Sequence, residues 1–303
     1  MRRIGSPGGL YLKTDVPVEP EMITVVIPAL NSASTISLTL SSIFSNSVSS
    51  EMFEVLVVDD GSSDNTVEVA RRFPVKIYSC SERGIGPPRN LGIKMAKGDI
   101  VSFTDSDCVV GKDWLENILS FFERNPEADG VGGPVLAYPC SRNTVQRLTG
   151  EIFVEDQGYP EKLKKVQFGS MCGMILGSNS SYRKNAVAAA GGYSEPGGSN
   201  LELAWRLVSI RKNLFFDPNI RVCHMFPAEL RTIFKQQFRW GMQSTQMKRR
   251  HGVFEGLMEF VYISYFPVRR LLHPDSPKNL EKKLLHFTQL ASYGLGRVYG
   301  LSS

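Results

Sequence analysis

The chain has 303 residues, 42% apolar and 21% charged, which suits a folded protein with one large domain or two small ones and ample core. Its five cysteines (Cys80, Cys108, Cys140, Cys172, Cys223) are scattered without a C-x-x-C pair. That argues against zinc and against a disulfide framework, and points to a reducing compartment. No stretch reaches the roughly 18 apolar residues of a spanning helix, and Met1-Arg2-Arg3 is followed by Ser6-Pro7-Gly8-Gly9 where a signal peptide would have an apolar core. The expected location is cytoplasmic, at most peripheral on the cytoplasmic membrane face.

The net charge of +5 is unevenly placed: residues 227–303 hold 12 Lys/Arg against 5 Asp/Glu, and residues 1–226 hold 23 against 25. A basic tail suits an anionic surface, lipid or nucleic acid, or is simply a solvated helical face.

Residues 1–21, with Pro7, Pro17 and Pro20, read as an extended tail. Met22–Pro28 reads as a strand. Ser34 can cap a helix whose apolar positions Ile36, Leu40, Ile43 and Phe44 fit a helical period. Phe53–Val58 is a second strand, and Asp64 caps a helix to about Phe73. Val75–Ser79 is a third strand. Pro88 then sits where a helix tolerates proline, in its first turn. Asp99–Thr104 is a fourth strand, and Asp113 to Glu116 has capping-box spacing ahead of a helix through Phe122. Four strand–helix units predict a mostly parallel, Rossmann-like sheet with helices on both faces. Beyond Gly130 the pattern loosens. Gly132–Val135 reads as a strand start, residues 141–165 as loop and helix, and Gly177–Arg183 and Phe215–Val222 as strands. From Ala228 the chain becomes helical, basic and aromatic.

Two acidic clusters end apolar runs: Asp59-Asp60 after Val55–Val58, and Asp105-Ser106-Asp107 after Ile100–Thr104. The carboxyl ends of parallel strands face one crevice, where open α/β sheets bind ligands. Carboxylates gathered there need a cation or a hydrogen-bond donor between them. A metal–diphosphate supplies the first and a nucleobase the second, so the pattern predicts a nucleotide–metal site. Asp105 and Asp107 straddle Ser106, and in extended chain residues i and i+2 point the same way, toward one Mg²⁺ or Mn²⁺. A solvated loop is the alternative.

Six segments in order carry a resemblance. They are Ile23 to Asn31, Val57 to Thr66, Arg89-Asn90-x-Gly92, Asp105-Ser106-Asp107, Gly177 to Arg183 with Gly191-Gly192-Tyr193, and His224 followed by Gln236-x-x-Arg239-Trp240. Over about residues 22–250 the chain resembles a family-two glycosyltransferase of the GT-A fold. The resemblance implies a catalytic domain over 22–226, with a nucleotide-binding half (22–135) and an acceptor half (136–226). A helical C-terminal segment follows over 227–303. It further implies that Pro28, Ala29 and Asn31 wall the nucleotide, and that Asp60 accepts the imide proton of a pyrimidine with support from Asp59. A strand-ending turn would use the same residues. Arg89, at a helix N-terminus, suits a phosphate, as does Arg83 on its glycine loop; either could be a surface ion pair instead. Asp107 would hold the metal, with Asp105 near the ribose and Ser106 among the nucleotide-sugar-binding residues. His224 would complete the metal shell or serve a structural role. Gly177, Ser178, Asn179, Gln236, Arg239 and Trp240 would face the acceptor, or Phe238 and Trp240 would simply be helix core.

One departure stands out. Where the family carries Glu-Asp-x-Asp/Glu-Leu-x-x-Arg, this chain has Ser199-Asn200-Leu201-Glu202-Leu203-Ala204-Trp205-Arg206, so the usual general base is missing. Glu202, Glu195 or a substrate phosphate can replace it, and an acceptor that is already an anion needs none. Otherwise the protein is a catalytically weakened nucleotide-sugar-binding protein. The expected function is inverting, metal-dependent transfer from a UDP-sugar, or alternatively a GDP-sugar, to a glycan or lipid-linked acceptor in polysaccharide or glycolipid biosynthesis. A nucleotidyltransferase is disfavoured because Pro28-Ala29-Leu30-Asn31 is no glycine-rich phosphate loop. Nucleic acid is disfavoured because no recognition motif appears. Finally, Val253–Phe266, flanked by Lys248-Arg249-Arg250 and Arg269-Arg270, and a stripe of Leu284, Phe287, Ala291 and Val298 near Lys282 and Lys283 fit a segment lying on a membrane surface or packed on the catalytic domain or a twin subunit.

Overall fold

The structure, a computed structural model, describes residues 21–82, 84–167, 175–194, 200–250 and 280–302. The expectations for the N-terminal tail, Arg83, Glu195, Ser199, Val253–Phe266 and Arg269-Arg270 lie outside the described residues, apart from Glu21 at the tail's end.

The first strands and helices alternate: β1 (Ile23–Ala29), α1 (Ile36–Phe44), β2 (Phe53–Asp59), α2 (Thr66–Ala70), β3 (Lys76–Ser79), α3 (Gly86–Met95), β4 (Ile100–Phe103), β5 (Cys108–Val110) and α4 (Trp114–Arg124). Then come β6 (Gly130–Gly132), β7 (Val135–Ala137), α5 (Thr144–Gln157), β8 (Lys164–Lys165), β9 (Ser180–Arg183), α6 (Lys184–Ala189), α7 (Asn200–Ser209), β10 (Leu214–Phe216) and β11 (Val222–His224). Among the described residues two long helices follow, α8 (Leu230–Arg250) and α9 (Leu280–Ser302).

The main sheet has the order β3-β2-β1-β4-β9-β6-β10-β8, and a small sheet has the order β5-β11-β7. β3, β2, β1 and β4 are parallel, whereas β9 runs antiparallel between β4 and β6. The apolar runs are continuous because both faces are covered. Ile23, Val25, Ile27, Val55 and Val57 pack with α1 and α4 on one side. Val26, Leu56, Val58, Val101 and Phe103 pack with α6 and α7 on the other. Helix α4 buries Trp114, Leu115, Ile118, Phe121 and Phe122, each worth about 1.5–3 kcal/mol.

Several local expectations are corrected. Gly132–Val135 is not one strand start. The chain leaves the main sheet at Gly132 and joins the small sheet at Val135, and Gly133 fits only because it has no side chain: a Cβ there would lie 1.8 Å from the Ile220 carbonyl oxygen. Phe215–Val222 divides in the same way, because Asp217 caps a turn that separates β10 from β11. Thr35, not Ser34, precedes α1, without a side-chain cap. Asp113 stands at the N-cap of α4 but makes no capping hydrogen bond, and Glu116 accepts from the Ser47 hydroxyl at 2.9 Å instead of completing a capping box. Asp64 does gather the turn ahead of α2, accepting from the Thr66 amide at 3.0 Å, but that helix ends at Ala70.

The C-terminal helices run side by side in the same direction: Ile233 clusters with Leu285, Phe238 meets Gly296, and the Arg249 guanidinium donates to the Gly300 carbonyl. A Cβ on Gly296 would sit 1.9 Å from the Phe238 oxygen, and one on Gly241 2.0 Å from the Tyr293 oxygen, so the backbones touch. Helix α9 turns a polar face inward. Lys282 donates to Glu151 (3.1 Å) and Glu155 (2.6 Å) of α5, and His286 lies 2.9 Å from Asp156. The expected stripe is therefore not a packing face: Leu284 and Val298 are exposed, while Leu285 and Gln289 are buried.

Candidate active site

The register of the main sheet brings the key strand ends level. Val26 pairs with Phe103 and Ala29 with Asp59, so Pro28, Ala29, Asp60 and Asp105 converge at the carboxyl rim. There they line a cavity of about 530 Å³ together with Arg89, His224, Gly177, Ser178, Asn200, Gln236 and Trp240. The remaining wall is largely apolar, with Val135, Phe153, Ile175, Leu176, Leu201 and Phe226.

Asp105, Asp107, Cys108 and His224 form a cluster whose ligand atoms lie within 4.8 Å of one another. Backbone pairing sets it: β5 and β11 are antiparallel with His224 opposite Cys108, and the Met225 amide donates to the Asp107 carbonyl at 2.9 Å. His224 Nε2 is 3.3 Å from Asp107 Oδ1, and Phe226 meets the imidazole edge-on at 4.6 Å. Burial alone would raise the Asp107 carboxyl, but the His224 charge and hydrogen bond outweigh it and hold it below the usual range. Burial likewise works against a charged His224, and Asp107 overcomes it and raises the imidazole. Asp105 is raised by burial and by Asp107, against the pull of Arg89. Burial and the two carboxylates keep the Cys108 thiol well above its ordinary range, hence neutral and a poor partner for a hard cation.

The donor set fits a divalent cation. It offers two carboxylates and an imidazole, and His224 Nδ1 is buried without a hydrogen-bond partner.

Arg89 is buried beneath the rim. It donates to Asp105 Oδ1 at 2.8 Å and to the Ile85 carbonyl at 3.1 Å, and its Nε has no partner. Gly177 lets two side chains close on it, since a Cβ there would lie 1.8 Å from Asn200 Nδ2 and 3.1 Å from the Arg89 guanidinium.

Other expected residues stand elsewhere. Asn31, with φ of 50°, accepts from the Ser63 amide at 2.9 Å, and Asp59 accepts from the Ser62 amide at 3.2 Å. Both shape the loop after β2 and neither lines the cavity. Ser106 is buried against Ser32, oxygen to oxygen 2.7 Å. Asn179 is fully buried as a joint between the two sheets: Nδ2 donates to Pro134 O (3.1 Å) and Ile220 O (2.7 Å), and Oδ1 accepts from Trp114 Nε1 (3.0 Å). The acceptor-side reading of Asn179 is therefore corrected to a structural one. Arg239 turns away from the cavity into a separate groove with Lys235. Glu202 is not placed as a base. It is 2% exposed and bound at both carboxylate oxygens by Arg206, at 2.7 and 2.9 Å. Asn200 and Leu201 reach the cavity from α7, and Asn200 Oδ1 accepts from the Tyr193 hydroxyl at 2.6 Å. The apolar wall escaped the sequence reading because Phe153 and Val135 carry no motif. Phe226, two residues beyond His224, was the one within reach.

The sequence profile described as Glycosyl transferase family 2 matches residues 24–190. The chain belongs to this family. Among curated relatives, it is 28% identical over 235 residues to the glycosyltransferase AglE of Haloferax volcanii, covering 74% of this chain and 73% of that one. It is 24% identical over 281 residues to the glucosyl-dolichyl phosphate glucuronosyltransferase of the same organism, covering 83% and 87%. A solved mannosyltransferase from Pyrobaculum calidifontis, in complex with GDP-Man and Mn²⁺, aligns with a TM-score of 0.65 at 16% identity, over 93% of this chain and 87% of that one. Family membership makes the chain a glycosyltransferase, and the alignment shows the GT-A fold. Among the described residues no helix is long and apolar enough to cross a membrane.

Proposed function

We propose that this glycosyltransferase moves a sugar, with inversion, from a nucleotide-diphospho-sugar to a glycan or lipid-linked acceptor, in a reaction that needs a divalent metal. The observation that carries the reading is the convergence of Asp105 and His224 with Arg89 and Asp60 at one cavity, with Asp107 within 4.8 Å of the first two. UDP is the expected nucleotide, with Asp60 accepting from the base and Pro28 and Ala29 walling the nucleotide. Named ligands of solved relatives, UDP and UDP-GlcNAc in Staphylococcus aureus TarS and GDP-Man in the Pyrobaculum enzyme, support this donor class.

Asp107 and His224, beside Asp105, would hold Mg²⁺ or Mn²⁺, which supplies Lewis-acid stabilisation of the leaving diphosphate. Arg89, already buried, adds a fixed positive charge at the same end. The acceptor enters from the side of Gln236, Trp240 and Asn200 and attacks the opposite face of the anomeric carbon. Trp240 offers a flat apolar surface for a sugar. Among the described residues no carboxylate lines this side, since Asp60 and Asp105 belong to the nucleotide end. An acceptor that is itself an anion, such as a lipid phosphate, needs no proton removed, and the apolar wall suits its carrier. The acceptor is then presented at the cytoplasmic face of a membrane.

A second reading is favoured by Asn200 alone: a protein that binds nucleotide-sugar with weakened transfer. Thermal shift with a panel of UDP- and GDP-sugars, with and without Mn²⁺, tests the donor site. Transfer to hydroxyl and phosphate acceptors then separates the two readings. No metal-dependent shift with any donor would sink the first, and binding without turnover on either acceptor class would favour the second.

A further inference from the structure

Helix α8 carries six Lys or Arg and no Asp or Glu over its 21 residues. Arg231, Lys235 and Arg239 recur at intervals of four, so they form one exposed stripe. Among the described residues none of the three has an ion-pair partner; the acids of neighbouring α5 are taken by Lys282, Arg147 and His286. A different face of the same helix, with Gln236, Trp240 and Gln243, lines the active-site cavity.

Beside the stripe lies an apolar groove of about 510 Å³, floored by Phe234, Phe238, Met242 and Leu295 with Lys235 and Arg239 at its edge. Leu295 continues into α9, where Leu280, Leu284, Leu295, Val298 and Tyr299 fall on one helical face and are 68, 53, 64, 43 and 55% exposed. Scattered exposed leucines need no explanation, but an aligned apolar face next to unpaired cations does. The inward face of α9 is the polar one, with Lys282 and His286 engaging α5 and Gln289 and Arg297 buried, so the apolar residues have been left outward.

We propose that this face, the Arg231–Lys235–Arg239 stripe together with the outward apolar row of α9, docks on a bilayer containing anionic lipid. Charge complementarity selects the occupant: apolar side chains enter the headgroup boundary while the cations meet lipid phosphates. Nucleic acid would use the cations but leave the aliphatic row unexplained, and a second copy would set like charges together. The proposal deepens the membrane-presented acceptor read above. It rests on that reading for its purpose, but its measurement is independent of catalysis.

The test is co-sedimentation of the full chain with phosphatidylcholine vesicles and with vesicles of phosphatidylcholine and phosphatidylglycerol. Each cation near an anionic surface strengthens binding about fivefold, so the triple variant R231Q/K235Q/R239Q should bind anionic vesicles about a hundredfold more weakly. Leu295→Ser, at a solvent-exposed position, should weaken binding severalfold while leaving the melting temperature unchanged. Added salt should weaken the wild type more than the triple variant. Equal retention on neutral and anionic vesicles, an unaffected triple variant, dimerisation that excludes vesicles, or retention by RNA with none by vesicles would each overturn it. If donor binding fails but vesicle binding behaves as stated, the docking face stands and the catalytic reading falls; the reverse result spares the catalytic reading.

Discussion

Replacing Asn179 with alanine strands two buried groups at once, the Trp114 indole N–H and the Ile220 carbonyl, while the Pro134 carbonyl keeps the Val222 amide at 3.2 Å. The side chain is wholly inaccessible, so bulk water cannot take its place without opening the joint between the sheets. Each orphaned group costs about 1–3 kcal/mol, and relaxation of the turn around Gly133 recovers part of it. The expected loss is about 2–4 kcal/mol, or about 4–16 °C in melting temperature for a domain of this size. Thermal and urea unfolding followed by tryptophan fluorescence would read it directly, because Trp114 is one of the affected partners. The family motif would have Asn179 touch the acceptor. A variant that melts within about 2 °C of the wild type yet fails to transfer sugar would restore that reading and refute the structural one.

Other expectations follow from the same geometry. Asp107→Asn should weaken Mn²⁺-dependent donor binding at least about tenfold by calorimetry, and unchanged affinity would remove Asp107 from the metal site. Because Asp107 raises His224, the imidazole stays protonated to higher pH than usual and must lose that proton to ligate. Mn²⁺ affinity should therefore fall as pH drops below the raised value, approaching about tenfold per pH unit, and a flat profile would exclude His224 as ligand. The same pair stabilises the metal-free protein fully between the ordinary carboxylate and histidine pKa values, and loses that contribution as pH rises through the raised histidine value or falls through the lowered Asp107 one. Arg206→Met should destabilise the fold, by about 1–3 kcal/mol, because it removes the guanidinium that binds both oxygens of the buried Glu202 carboxylate. Glu202→Gln should retain transfer, and a folded variant with no turnover would return Glu202 to the role of base.

Much of the first half was legible because strands covered on both faces leave an unbroken apolar signal: β1, β2 and β4 lie within a residue or two of their expected bounds. The acidic rim was legible for the same reason, since strand ends of a parallel sheet share one edge. What was not legible depends on partners distant in sequence. Gly132–Val135 and Phe215–Val222 read as continuous because local pattern says nothing about which of two sheets a residue joins. Asn179 belongs to a motif, but its three partners come from residues 114, 134 and 220. Arg239 was assigned together with Trp240 through the Gln236-x-x-Arg239-Trp240 motif, yet consecutive helix positions point about 100° apart. Glu202 and Arg206 did carry a signal that went unused: a spacing of four on a helix is that of an ion pair.

The antiparallel ladder that sets His224 opposite Cys108 has a consequence for insertions and deletions. Side chains alternate along β11, so slipping this strand by one position would aim the imidazole away from Asp107 and turn a thiol or thioether toward it. The turn from Asp217 to Arg221, pinned by the Asn219 amide on the Asp217 carboxylate at 2.9 Å, fixes the frame. Its length is thus as much a determinant of the proposed cation site as any of the side chains there, and a single-residue indel should silence transfer, if that site is used, while leaving the sheets able to form.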